Sequence, residues 1–258
     1  MLKSALCSLA SLLISTLAAD SSSYAKGPAP EWVQECEVQL EPIPLKSSQL
    51  NVQQLLIDSQ RNIEEKTFYW HFATKPLTRN GIDAVAQFNI DFDPYAHKFI
   101  VHKIRVYRDG KWHDRLASTR LELLKREQNL ENSLLGGDLT LAHFLEDVRE
   151  GDIVEYACSF VGADPLFPKF SSYIKLQGQA LTEKISHRIL SNPNNPIAYR
   201  AFNTAVEPRI RDLSPNLREW TWEVLSTTPA PNEWAQPSWH NPEERVHISM
   251  YQNWQEVA

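Results

Sequence analysis

The chain has 258 residues, 26 of them basic and 32 acidic, giving a net charge of −6 at neutral pH with 42% hydrophobic residues. That balance, with no basic stripe, excludes a nucleic-acid-binding surface. Eight glycines, none at phosphate-loop spacing, exclude the usual nucleotide cradles.

Met1 to Ala25 reads as a signal peptide. Lys3 supplies a short positive region, and Leu6 to Leu17 an apolar run too short to cross a bilayer. Thr16-Leu17-Ala18 and Ser23-Tyr24-Ala25 are the two candidate cleavage sites. A lipoprotein signal does not fit, because Cys7 follows bulky Leu6 and precedes most of the apolar run. Export to the periplasm or beyond is the expectation, and the lack of any Asn-x-Ser/Thr acceptor suits a bacterial envelope protein. No later apolar run approaches membrane-spanning length. Only Cys36 and Cys158 then remain, a candidate disulfide in an oxidising compartment. The competing reading is two independent thiols, with Cys158 in the core.

Residues 26–49 are rich in proline and polar side chains and read as a linker into a β domain over 50–250. Phe68, Trp70 and Phe72 alternate with Tyr69, His71 and Ala73, and Ala84, Ala86, Phe88, Ile90 and Phe92 with Val85, Gln87, Asn89 and Asp91, so each run is expected to be a half-buried strand. Asn80-Gly81 between them suits a hairpin turn. Phe99 to Tyr107 reads as a third strand ending at a second such turn, Asp109-Gly110, which completes an antiparallel meander. Leu141, Phe144, Leu145 and Val148 fall at helical spacing, with Asp138 or Thr140 to cap the start and Gly151 to end it. Leu121 to Leu135 has irregular apolar spacing and could hold helical turns. Ile153 to Phe160, Ser172 to Leu181 and Ile185 to Leu190 return to strand. Pro193, Pro196, Pro208 and Pro215 allow only short strands between them and suggest a sub-boundary near 191–215. Trp220, Trp222 and Val224 share one face of a late strand. Arg245 to Ser249 is a last strand, and 251–258 opens a helix leading towards a domain the sequence does not contain. The expected fold is mainly β: an antiparallel, β-sandwich-like core, as one sandwich or two packed sheets, with one or two short helices.

Two stretches carry a family likeness. Asn129-Leu130-Glu131 followed by Leu145-Glu146-Asp147-Val148-Arg149-Glu150-Gly151-Asp152-Ile153-Val154-Glu155-Tyr156, and the closing Trp239 to Ala258, resemble domain-of-unknown-function family 3857. Asn62-Ile63-Glu64 and His102 to Val106 sit where that family places early strands. The resemblance implies an exported β-rich module that accompanies a transglutaminase-like (papain-type) enzyme domain. It implies no activity for the module itself. The Cys, His and Asp of the enzyme domain have no counterpart here.

The residues offer no catalytic or metal set and no cofactor site. A reactive cysteine needs a helix N-terminus or a nearby cation. Cys158 lies mid-strand among apolar residues, and Cys36 stands between Glu35 and Glu37. The histidines do not cluster, and His102 reads as a core-edge side chain satisfied by a hydrogen bond. Asp91 and Asp93 are too few oxygens for calcium. Trp234, Trp239 and Trp254 lie in irregular surroundings and form a candidate interaction surface; the alternative is that these rings pin the C-terminal extension onto the sheet. The functional expectation is a non-catalytic accessory module of a transglutaminase-like system. A free-standing envelope protein that binds glycan or peptide is the alternative, and a hydrolase comes last.

Overall fold

The computed structural model describes residues 24–41, 50–125, 139–178, 180–229, 237 and 241–257. The expected signal core, the Asn129-Leu130-Glu131 motif, Trp234 and Trp239 lie outside the described residues, as does most of the ambiguous Leu121 to Leu135 stretch.

The described residues build one large mixed sheet and two small ones. In chain order the strands of the large sheet are β1 (Tyr24–Lys26), β2 (Val52–Asn62), β3 (Thr67–Pro76), β5 (His97–Arg108), β6 (Lys111–Asp114), β9 (Ile153–Gly162), β11 (Thr182–Ser191), β13 (Arg209–Ser214) and β14 (Leu217–Thr227). They run in the spatial order β1-β5-β9-β3-β2-β11-β14-β13, with β6 paired to β5. Most neighbours are antiparallel, but β1 runs parallel to β5 and β11 parallel to β2. The second sheet joins β4 (Gln87–Phe92), β8 (Leu139–Phe144) and β7 (Glu122–Lys125); the third joins β10 (Ser171–Lys175), β15 (Arg245–Ser249) and β12 (Ala198–Phe202).

Both small sheets pack on the same face of the large one. Phe88, Ile90, Phe92 and Leu141 of the second sheet meet Phe99, Val101, Val154, Tyr156 and Cys158. Ile174, Val246 and Ile248 of the third meet Ile189, Trp220 and Trp222. Alternation explains this, because residues two apart on a strand share a face. On β9, Val154, Tyr156 and Cys158 point to that layer, while Ile153 joins Leu55, Leu56 and Ala73 on the opposite face.

Four sequence expectations give way. The run from Ala84 to Phe92 is split: α1 (Arg79–Ala86) takes its first half and β4 its second. Asn80-Gly81 is the first turn of α1, whose start is capped by the Thr78 hydroxyl accepting from the Gly81 amide at 3.3 Å. Strand β4 leaves for the second sheet, so the expected meander does not form; β3 instead pairs with β2 and β9. The expected helix from Leu141 is strand β8, in which Leu141 pairs with Ile90. Leu145 and Val148 reach the same core as Leu141 from the irregular chain beyond it, while Phe144 is exposed, so three buried residues mimic a helical stripe without a helix. Asp109-Gly110 does form the expected turn between β5 and β6, both residues having positive φ.

Tyr24 and Ala25, inside the expected signal, pair with Phe99 and Ile100. Much of the expected linker lies against the large sheet, where Cys36, Val38 and Leu40 cover the cluster of Leu55 and Ile153. Within the region 191–215, Ile197, Ala201 and Val206 pack with Ile189 and Trp220.

Candidate functional site

The register across the large sheet aligns one row of side chains on the covered face. Trp220 pairs with Ile189, Ile189 with Arg61, Arg61 with Phe68, Phe68 with Phe160 and Phe160 with Phe99. Five of these six are apolar, and Arg61 is the cation in the middle. The second sheet covers the Phe99 end of the row, and the third covers the Trp220 end. Between them lies a cleft of about 1220 Å³.

The end of β2, the start of β3, the segment from Gly162 to Ser171 and the tail from Ser249 to Val257 wall this cleft. Its aromatic lining comprises Phe68, Phe160, Phe167, Phe170, Tyr251 and Trp254. Phe167 and Trp254 are 58% and 84% exposed, so the mouth carries large rings facing water. Trp254 thus stands on a concave surface. It opens a single 3-10 turn (Trp254–Glu256) capped by Asn253. The charges at the rim are largely committed: Lys169 pairs with Glu256 at 2.6 Å, Glu64 accepts from Asn195 and Asp164 from the Leu166 amide.

Arg61 differs from every one of them. Its guanidinium carbon lies 3.9 Å from the centre of the Phe68 ring and 5.6 Å from that of Phe170, a cation held between two aromatic faces. Its Nε is buried without a hydrogen-bond partner. Burial draws its pKa down to about 10. Neither Arg61 nor its two ring neighbours carries a sequence motif. The weak signal was an arginine at the parity of Ile57 and Ile63, on a face it shares with Ser59.

The opposite face of the large sheet holds a second polar group under the N-terminal strap, residues 27–41. Glu155, with no exposed surface, accepts from His71 at 2.6 Å, from Lys103 at 3.3 Å and from Arg105 through Nε. Burial alone would raise this carboxyl, but His71 and Arg105 outweigh it and hold its pKa at about 2. The strap is tied down by Lys103 to Glu35 at 2.7 Å, Gln60 to the Gln34 carbonyl at 2.6 Å, and Arg188 to the Trp32 carbonyl at 2.8 Å. Arg188 also meets Glu219 at 2.7 Å. This is a closed structural network, with each cation on a carboxylate or a carbonyl.

Other chemically suggestive groups are also structural. Ser59 and His187 lie 2.6 Å apart, but the other ring nitrogen of His187 donates to the Lys175 carbonyl, and burial holds the ring neutral with a pKa of about 4. The pair therefore pins β10 to the large sheet. His102 bridges the Gly27 carbonyl and Ser159, as expected of a satisfied core-edge histidine. Cys36 and Cys158 are both free. They sit on opposite faces of the large sheet, Cys158 in the main core and Cys36 beneath the strap, so the candidate bridge has a layer of backbone in its way and the reading of two independent thiols fits. Burial pushes the Cys36 thiol up to about 11 and the Cys158 thiol higher still, so neither is a ready nucleophile. Among the described residues, no group of three or more His, Cys, Asp and Glu is arranged to hold a metal.

The Glu-Asp-Val-x-x-Gly-Asp motif builds a clamp. Arg108 spans Asp147 at 2.8 Å and both Asp152 oxygens at 2.9 and 2.7 Å, and the Gly151 amide donates to the Pro76 carbonyl. Gly151 has φ +84°, which L side chains rarely adopt. The motif marks a turn that enters β9.

Fold and cleft together define a layered β domain with a large, aromatic-lined groove at the seam of its sheets. The family follows from sequence: the model for Domain of Unknown Function with solved-structure structure (DUF3857) matches residues 64–231, well over half of the chain, and the chain belongs to that family. No curated protein matches it. A solved structure from Parabacteroides distasonis ATCC 8503, described as a "putative protease", superposes with a TM-score of 0.68 at 11% identity, over 78% of this chain and 41% of that one. The likeness is one of fold, and the chain spans about two-fifths of that protein's length. Arg61 and the Ser249 to Val257 wall fall outside the family match, whereas Phe68, Phe160 and Phe170 fall within it.

Proposed function

We propose that this chain is an exported, non-catalytic interaction module of a bacterial envelope system, and that it works beside a transglutaminase-like, papain-type enzyme. The observation that carries the reading is the seam cleft: about 1220 Å³ of aromatic-lined groove whose mouth presents Phe167 and Trp254 to water. Exposed rings rimmed by polar side chains mark recognition surfaces more often than random surface. The polar groups that could resemble an active site are instead committed to holding strap, sheet and turn. The Parabacteroides protein is described as a "putative protease", and the shared fold occupies about two-fifths of it. In this reading, binding belongs to the shared fold and chemistry to what lies beyond it.

Affinity capture from envelope extract, with the purified chain as bait and mass spectrometry as readout, tests the proposal. The expected result is a papain-type cysteine enzyme in near-equal amount, depleted at least tenfold when the bait carries Phe167→Ala and Trp254→Ala together. Peptide hydrolysis or transamidation by the chain alone, abolished by a single substitution among the described residues, would contradict it.

A further inference from the structure

We infer that the seam cleft recognises a peptide carboxylate, seated on Arg61 with an adjoining apolar or aromatic side chain against Phe68 and Phe170. The inference rests on the binding-module reading and names what that module takes.

A cation buried without a counter-charge is costly unless it is paired and hydrogen-bonded. Arg105, Arg108 and Arg188 keep the rule, each meeting a buried carboxylate; Arg115 shares with Arg61 a buried, unpartnered Nε but does not line the cleft. Arg61 has only ring faces and an unpartnered Nε, and it lies in the lining of the cleft. The missing group is therefore an anion that arrives from outside. A guanidinium fork matches a carboxylate bidentately, and its ring neighbours leave its edge as the polar surface on offer. Arg61 and Lys66, set against Glu64 and Asp164 in the same lining, suit one negative charge better than the two of a phosphate.

Size and surroundings select a peptide. The cleft exceeds the roughly 300–1,000 Å³ typical of small-molecule pockets. Its wall includes Ser171, which opens β10, and β10 is an outer strand of its sheet. An outer strand offers backbone hydrogen bonds to an extended chain, and alternate side chains of that chain would fall into aromatic pockets. The carboxylate could be a chain terminus or an Asp or Glu side chain, and the two sources separate on amidation.

The test uses the purified chain and two pools of N-acetylated tetrapeptides ending in each of the twenty residues, one pool as free acids and one as amides. Binding is measured by calorimetry on the members retained. Acids with apolar or aromatic last residues are expected to bind at least tenfold tighter than their amides. In Arg61→Gln that ratio should collapse to within twofold, and Arg61→Lys should keep part of it. An advantage retained on amidation but lost when internal Asp and Glu are replaced would assign the carboxylate to a side chain, within the same proposal. Equal binding of acids, amides and carboxylate-free peptides would overturn it, and this comparison on the unaltered chain does not depend on any variant folding. So would no binding by either pool. In both cases the module reading survives if enzyme capture still depends on Phe167 and Trp254, and falls only if that dependence is also absent.

Discussion

Glu155 has no exposed surface, yet His71, Lys103 and Arg105 all converge on it. Its carboxyl is held at about 2, below the ordinary 4.5, so the stability it contributes is full above pH 4.5 and is lost as the pH falls towards 2. Asp58 acts in the opposite sense, because burial raises its carboxyl and acidification relieves that cost. Glu155→Gln is expected to lower stability at pH 7 by about 3 kcal/mol, at the low end for a broken buried pair because Arg105 and Lys103 stay partly solvated. Urea midpoints between pH 7 and pH 3 check this: the variant should lose less on acidification than the parent, and an equal loss in both would place the acid sensitivity elsewhere. At this scale the sequence was legible where the bland interpretation sufficed. Cys158 is a core residue, as its strand parity suggested, whereas a register shift after Val101 turns half-buried His102 to the other face, where hydrogen bonds satisfy it. Arg61 was not legible, since nothing local tells an arginine held between rings from one that reaches solvent.

At the scale of elements, the long strands were readable because Phe68 to Ala73, Phe99 to Tyr107 and Ile153 to Phe160 alternate over enough residues to fix a period. The failures were short or composite. Ala84-Val85-Ala86 fits either period, and the Thr78 cap together with burial of Gly81, Val85 and Ala86 settles it as helix. Leu141 to Val148 imitated a helix because a strand and an irregular segment bury residues in one core. The close approach of α1 to the chain before β2 gives a sharp test. A Cβ on Gly81 would lie 2.0 Å from the Asn51 carbonyl oxygen, a backbone atom that cannot swing aside. Gly81→Ala should therefore destabilise by at least about 1–3 kcal/mol despite the better helix propensity of alanine. Asn80→Ala, one position earlier and exposed, should stay within about 0.5 kcal/mol. Thermal and urea unfolding of the pair give the comparison, and equal stabilities would mean that α1 is not packed as described.

At the scale of the molecule, the family and the mainly β architecture were visible in the Glu-Asp-Val-x-x-Gly-Asp motif and the strand count. The layering was not. Which strands leave for the small sheets depends on pairings far apart in the chain, such as β10 with β15, and local pattern does not encode them. The cleft is a product of that layering, because it exists where two small sheets share one large face without meeting across Arg61. The account's central claim is that this seam is the working surface and Arg61 its polar anchor. The most direct measurement is a proton–nitrogen correlation spectrum of the chain labelled at its arginine Nε positions, titrated with the acetylated tetrapeptide acids. The Arg61 Nε–H signal, assigned by its loss in Arg61→Gln, should move strongly on titration while those of Arg105 and Arg188 stay fixed. An unmoved Arg61 signal at saturating peptide would contradict the account.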